Sequence, residues 1–244
     1  MLKKILFISV LGALALSLPV KAQDPKMTED WSKEPPVIAP GKRMRPPSDA
    51  IILFRNGRDI SNWTNRAGEP AGWSTSCRTM KGGRKGDIIT IQEFGDCQLH
   101  LEWRTPWKVE GEGQGRGNSG VYLQSLYEVQ ILDSYENITY YNGQAGSIYK
   151  QSPPLVNASR KPGRWQYYDI IFRAPRFNED GSLESPAVLT VFHNGVLIQD
   201  HFELKGRSIY AGYPGYEPHA EKMPLLLQDH GNPVRFRNIW IREL

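Results

Sequence analysis

The chain reads as an all-β protein, an antiparallel β-sandwich, and three observations predict it. Short apolar runs recur from Ile51 to Ile241, several alternating apolar and polar residues with the period of two that a half-buried strand requires. Gly, Pro and Asn-Gly signals separate the runs as turns. No segment holds a helical period over ten or more residues.

The chain opens with MLKKILFISVLGALALSLPVKA, which has early lysines, an apolar run from Ile5 to Val20 and a small residue at Ala22. That order predicts a signal peptide over residues 1–22, cleaved near Ala22, and a periplasmic or secreted protein. No cysteine follows to be lipidated, and no later apolar run is long enough to span a bilayer. Removing the leader takes away Lys3, Lys4 and Lys21 and no acid, so the formal charge falls from +4 to +1. A chain so nearly neutral gives little support to a nucleic-acid partner. Residues 23–50 are dense in proline and have no period, which predicts an extended arm. Residues 51–244 suffice for one domain with a sizeable core.

Cys77 and Cys97 both lie in the exported part, where a disulfide is the natural reading, with two separate thiols as the alternative. Closing that loop would contribute on the order of 3 kcal/mol.

The strands follow in order. Ile51-Ile52-Leu53-Phe54 ends at Asn56-Gly57, and Asp87 to Gln92 is a second run. Gln98 to Arg104 alternates with Leu99, Leu101 and Trp103 inward and His100, Glu102 and Arg104 outward. Tyr167 to Arg173 is followed by Ala187 to Phe192, which turns back through Asn194-Gly195. Met223 to Gln228 and Val234 to Ile241 close the chain. In the last run the apolar parity switches between Phe236 and Ile239, which predicts a bulge near Arg237-Asn238.

The central stretch is Gly115 to Asp133, GRGNSGVYLQSLYEVQILD. Its two alternating runs predict a hairpin with a three-residue loop, Ser125 to Tyr127, and Gln124 opposite Glu128. Val121, Leu123, Val129 and Ile131 then form an apolar underside, and Tyr122, Gln124, Glu128 and Gln130 a polar upper face suited to a sugar. A solvated outer face is the plainer alternative. The glycine run from Gly111 to Gly120 lacks the Lys-Ser/Thr of a phosphate loop and is expected to form a mobile rim.

GQGRGNSGVYLQSLYEVQILDSY, QAGSIYKQSPPLVNASRKPGRWQYYDIIF and PLLLQDHGNPVRFRNIWIREL together resemble the 3-keto-disaccharide hydrolase domain family over roughly Ser48 to Leu244. The resemblance implies a concanavalin-like jelly roll with a sugar site on its concave face. It further implies an exported bacterial protein acting on glycosides already oxidised to a ketone at the third carbon.

Such a ketone makes the hydrogen on the neighbouring carbon acidic and turns the glycosidic oxygen one carbon further into a leaving group. The enzyme needs a base, a donor for the enolate oxygen and an acid for the departing oxygen. Glu128 is the candidate base, Gln130 a donor beside it, and Asp133 a carboxylate just past the strand. His230 is the candidate acid or second base, because imidazole changes charge near neutrality. Asn118, Tyr122, Gln124, Tyr149 and Gln228 are expected to bind the sugar through amides and aromatic faces. Structural roles stay open beside these: Glu128 as a cross-strand ion-pair partner, Asp133 as a turn cap with Ser134, and His230 bonded to backbone. Arg235 either binds substrate or pairs with Asp229.

The sequence assigns no cofactor and leaves one open, a divalent cation held by Glu128, Asp133 and His230. Glu128-x-Gln130-x-x-Asp133 also looks like the Glu-x-Asp-x-x-Glu strand of laminarinase-type retaining glucanases, with Gln in the middle and a shorter last carboxylate. A retaining glycosidase and a carbohydrate-binding module without chemistry are therefore the competing functions. The expected partner is a small glycoside or oligosaccharide.

Overall fold

The computed structural model describes residues 24–42 and 45–244. The predicted leader lies outside them. The described residues fall into two units, 24–37 and a compact unit that begins at Ile38 and runs to Leu244. The stretch Asp24–Val37 is almost wholly exposed and holds a short 3-10 turn at Pro25–Thr28, capped by the Asp24 side chain. The last residues of the expected arm belong to the compact unit. There Ser48 Oγ accepts from Ala39 N at 3.0 Å, and Asp49 pairs with Arg242 at 2.7 Å.

Among the described residues fifteen strands build the compact unit. They are β1 (Ile51–Phe54), β2 (Trp63–Asn65), β3 (Ser74–Ser76), β4 (Thr79–Lys81), β5 (Ile88–Phe94), β6 (Cys97–Arg104), β7 (Ser119–Leu123), β8 (Tyr127–Ile131), β9 (Gln166–Arg173), β10 (Arg176–Phe177), β11 (Leu183–Ser185), β12 (Val188–His193), β13 (Val196–Glu203), β14 (Met223–Leu227) and β15 (Arg235–Glu243). One sheet runs β13-β12-β9-β6-β15-β4-β3, with β1 also on β15. The other runs β2-β5-β14-β7-β8, and β10-β11 is a small hairpin apart. Every pairing is antiparallel, and the architecture is the expected sandwich of jelly-roll type.

The core lies between the two large sheets. Leu99, Leu101 and Trp103 of β6 and Tyr168, Ile170 and Phe172 of β9 meet Val121, Leu123, Val129 and Ile131 of β7 and β8. The alternation read from the sequence dictates this, because each strand turns one parity inward. The bulge in β15 is present. Its register with β6 shifts between Arg237 and Trp240, and Asn238 takes a left-handed φ of 47° to absorb the extra residue. The Asn-Gly turn also forms between β12 and β13, with φ of 55° at Asn194 and 83° at Gly195.

Two expectations are corrected. The β7–β8 loop is three residues long but is Gln124-Ser125-Leu126, so Tyr122, not Gln124, stands opposite Glu128. Gln124 and Ser125 both adopt positive φ, 51° and 57°, so the chain leaves the strand one residue before the apolar pattern suggested. The shift of two in pairing keeps Val121, Leu123, Val129 and Ile131 inward and Tyr122, Glu128 and Gln130 on the opposite face. The Cys77–Cys97 disulfide is not formed. Cys97 opens β6 opposite Glu243, whereas exposed Cys77 turns the β3–β4 hairpin near Asn238, well back along β15. Burial pushes the Cys97 thiol up to about 12, so it is an inert core group.

Candidate active site

The site grows from the β7–β8 hairpin on the face of the smaller sheet turned away from the core. Val121 and Val129 point into the core, so their neighbours Tyr122 and Glu128 project outward as a directly opposed pair. β14 lies on the other side of β7, and its end is stitched to the hairpin. Gln228 N donates to the Gly120 carbonyl at 3.0 Å, and Ser119 Oγ donates to the Gln228 carbonyl at 2.6 Å. Along the free edge of β8 runs the segment Gly146 to Tyr149. Gln130 N donates to Ser147 O at 3.0 Å and Tyr149 N to Glu128 O at 3.2 Å, which delivers Tyr149 beside Glu128.

These elements enclose a cavity of about 250 Å³. Asn118, Tyr122, Glu128, Gln130, Tyr149, Gln228 and His230 all line it. Gln228 Nε2 donates to the Tyr122 hydroxyl at 3.2 Å. Asn118 is fixed by its amide donating to Gln114 O at 2.7 Å. Tyr149 shares a 2.8 Å hydrogen bond with the Tyr140 hydroxyl. His230 is exposed at the mouth, on a turn built by its neighbour. The Asp229 carboxylate accepts from the backbone N–H groups of Gly83, Arg84, Lys85 and Gly231 at 2.6–3.1 Å. Burial works to raise that carboxyl, but these four donors prevail and hold it below its usual range.

Glu128 is 3% exposed. Burial is the main cause that pushes its carboxyl up to about 8; the Tyr122 hydroxyl works in the opposite sense by favouring the anion, and Asp87 adds a smaller upward push. Burial and the Glu128 charge together hold the Tyr122 phenol far above its ordinary range, so it stays protonated. The Gln130 amide lies 2.9 Å from each of Glu128 Oε1, Ser119 O and Gln114 Oε1. Gln114 in turn donates to Gly143 O at 2.8 Å and Thr139 Oγ1 at 3.0 Å. Gly120 supplies the room for this arrangement. A Cβ there would press on Glu128 Oε1 and lie 2.8 Å from Tyr122 Cε2.

Two sequence-predicted site residues are elsewhere. Gln124, carried off by the turn, is buried and donates to Glu221 O at 2.7 Å. Asp133 faces Arg116, whose Nε donates to its Oδ2 at 2.8 Å, and it also accepts from Tyr135 N. With Asp133 neutralised there, Glu128, Asp133 and His230 do not converge as cation ligands. Among the described residues no group of three or more His, Cys, Asp or Glu is placed to hold a metal. The glucanase-like pairing of Glu128 with Asp133 fails for the same reason. Arg235 neither lines the cavity nor pairs with Asp229; it stands on the outer face of the larger sheet. The glycine run is tied down rather than loose, because Gly113 N donates to Asn137 Oδ1 at 2.9 Å.

Sequence reasoning missed Ser208, Ile209 and Tyr210, which close the cavity from the loop after β13. Ser208 Oγ accepts from Glu128 N at 2.9 Å. Lys150 Nζ donates to Tyr210 O at 2.6 Å and sits 4.4 Å from the centre of that ring, pinning the loop. The tyrosine and glycine density of Tyr210 to Tyr216 was the available signal.

The sequence profile described as "3-keto-alpha-glucoside-1,2-lyase-like domain" matches residues 49–242. A crystal structure of a "putative glycosyl hydrolase" from Parabacteroides distasonis ATCC 8503 is 48% identical, covers 91% of this chain and 97% of its own, and superposes with a TM-score of 0.86. Two further proteins of the same description and organism share the fold. One is 19% identical with a TM-score of 0.59, covering 80% of this chain and 94% of its own. The other is 23% identical with a TM-score of 0.55, covering 80% and 99%. No curated protein sequence matches the chain.

Proposed function

The chain belongs to the 3-keto-alpha-glucoside-1,2-lyase-like domain family, and on that premise we propose that it is an exported enzyme that cleaves 3-keto-glycosides by elimination. A glycosidase-type activity on a sugar is supported by the family and by the 48% identical relative. The finer reading rests on one observation: a single buried carboxyl, raised to about 8, lies at the floor of a polar cavity among amide and phenol donors. A carboxylate made more basic by desolvation suits removal of a carbon-bound proton better than displacement at a sugar carbon.

In this reading ionised Glu128 takes the proton from C2, next to the C3 ketone. The C–H electron pair moves into the C2–C3 bond and charge gathers on the ketone oxygen. The protonated hydroxyl of Tyr149, with the Asn118 amide, donates to that enolate. As the ketone reforms, the electron pair becomes the C1–C2 double bond and the C1–O bond breaks. His230, at the open mouth, gives its proton to the departing oxygen. Gln130, with its NH2 turned to Glu128, and Tyr122 orient the carboxylate. The products are an unsaturated 3-keto sugar and the free aglycone.

The test is to incubate the protein with a 3-keto-glucoside and with its unoxidised parent, following aglycone release. The wild type should release it from the ketone alone, and Glu128→Gln should lose turnover by about a hundredfold to ten-thousandfold, the range that removal of a general base spans. Cleavage of the parent at a comparable rate, or full activity in Glu128→Gln, would overturn the reading.

A further inference from the structure

The outer face of the larger sheet, on the opposite side of the sandwich from the cavity, carries an arrangement the proposed chemistry does not use. Lys81 of β4, Arg235 of β15 and Arg104 of β6 are direct cross-strand partners in one row. Like charges placed opposite one another across a sheet are destabilising, so folding alone gives no reason for the row. Arg237, two residues along β15, has its acid: it pairs with Glu102 at 2.6 Å. Lys81, Arg104 and Arg235 form no ion pair among the described residues. Burial, and after it the neighbouring Arg235 and Arg237 charges, lower the Arg104 pKa.

Aromatic rings flank the row. The Trp165 ring has Arg237 4.0 Å and Arg104 4.7 Å from its centre. Trp107, beside the row, is 82% exposed. Its backbone is held against Gly163, where a Cβ would come within 2.6 Å of Trp107 Cβ. A recess of about 280 Å³ is lined by Lys81, Arg104, Trp107 and Arg235, and a second, of about 430 Å³, shares Arg104 and adds Arg160 and Arg164 beside Trp165. Among the described residues no acidic side chain lines either recess.

We propose that this face binds an anionic polysaccharide, its carboxylate or sulfate groups on the Lys81–Arg235–Arg104 row and a sugar ring on Trp107. Neighbouring strands are about 5 Å apart, comparable with the length of one sugar ring, so the row matches charges carried along a glycan. An exposed indole offers a face to a sugar's C–H edge without demanding a planar base. The choice of a glycan as the polyanion rests on the sugar-active reading of the cavity; the cationic row itself does not. Bound there, the polymer would hold the enzyme at an acidic matrix while the cavity on the far side stays open.

Affinity electrophoresis of the whole protein through gels containing polygalacturonate, dextran sulfate or neutral dextran tests this, with duplex DNA as a further polyanion. Retardation is expected with polygalacturonate or dextran sulfate, the stronger of the two showing which anion the row prefers, and none with dextran. It should vanish near 1 M salt, where the Debye length is about 3 Å. The double variant R104Q/R235Q should weaken the apparent Kd at least about tenfold, and Trp107→Ala should weaken glycan binding while leaving any DNA retardation unchanged. Turnover of a 3-keto-glucoside, measured on the same samples, should not change in either variant, so the two readings fail separately. Absence of retardation by both anionic glycans, undiminished binding in R104Q/R235Q, or tighter binding to DNA than to either glycan would overturn the proposal.

Discussion

Glu128→Gln should stabilise the protein, and should do so more at neutral than at acid pH. Burial moves the Glu128 carboxyl from an ordinary 4.5 to about 8. Between those values the folded chain keeps its proton while the unfolded chain has released one, so stability falls as pH rises, by about 1.4 kcal/mol per unit. From pH 5 to pH 7 this amounts to about 2–3 kcal/mol. Glutamine does not titrate and escapes the loss. For a domain of this size 1 kcal/mol corresponds to about 2–4 °C in Tm, so the variant's lead over the wild type should grow by about 5–10 °C across that interval. Scanning calorimetry of both proteins at the two pH values measures it, and other titrating groups cancel in the double difference. A lead that does not change with pH would mean that Glu128 titrates as an ordinary carboxyl, and the argument from desolvation would fall.

The same carboxyl sets the pH dependence of catalysis. Because the ionised form is the base, kcat/KM should rise with pH up to about 8; Tyr122→Phe, by removing the hydroxyl that favours the anion, should move that limb to higher pH. Gly120→Ala should displace Glu128 and lower kcat at least tenfold, about 1.4 kcal/mol in the barrier, while circular dichroism still reports a folded sandwich. Arg116→Ala leaves the buried Asp133 carboxylate without its partner and should cost about 3–5 kcal/mol in a urea melt.

Much of the fold was legible because strand parity is a local property. Leu99-x-Leu101-x-Trp103 and Val121-x-Leu123 needed only the period of two to be placed inward, and the broken parity of Phe236 and Ile239 located the β15 bulge. The cavity was legible to the same extent: with the faces of β7 and β8 assigned, Tyr122, Glu128 and Gln130 had to share a side. What escaped depends on distant pairing or on turns. Gln124 was lost to two consecutive positive φ values that no glycine announces. Asp133 was captured by Arg116, seventeen residues away, and the loop carrying Ser208 and Tyr210 reaches the cavity through contacts that no spacing encodes. Cys77 and Cys97 share a sheet but not a neighbourhood, which two cysteines in a sequence cannot reveal.

The central claim, that Glu128 removes a carbon-bound proton, is tested most directly by a 3-keto-glucoside deuterated at C2. Aglycone release should slow several-fold relative to the protiated substrate, and the sugar product should carry the near-ultraviolet absorbance of a C1=C2 bond conjugated to the ketone. Equal rates for the two substrates, with a saturated sugar product that has taken up solvent oxygen at C1, would contradict it.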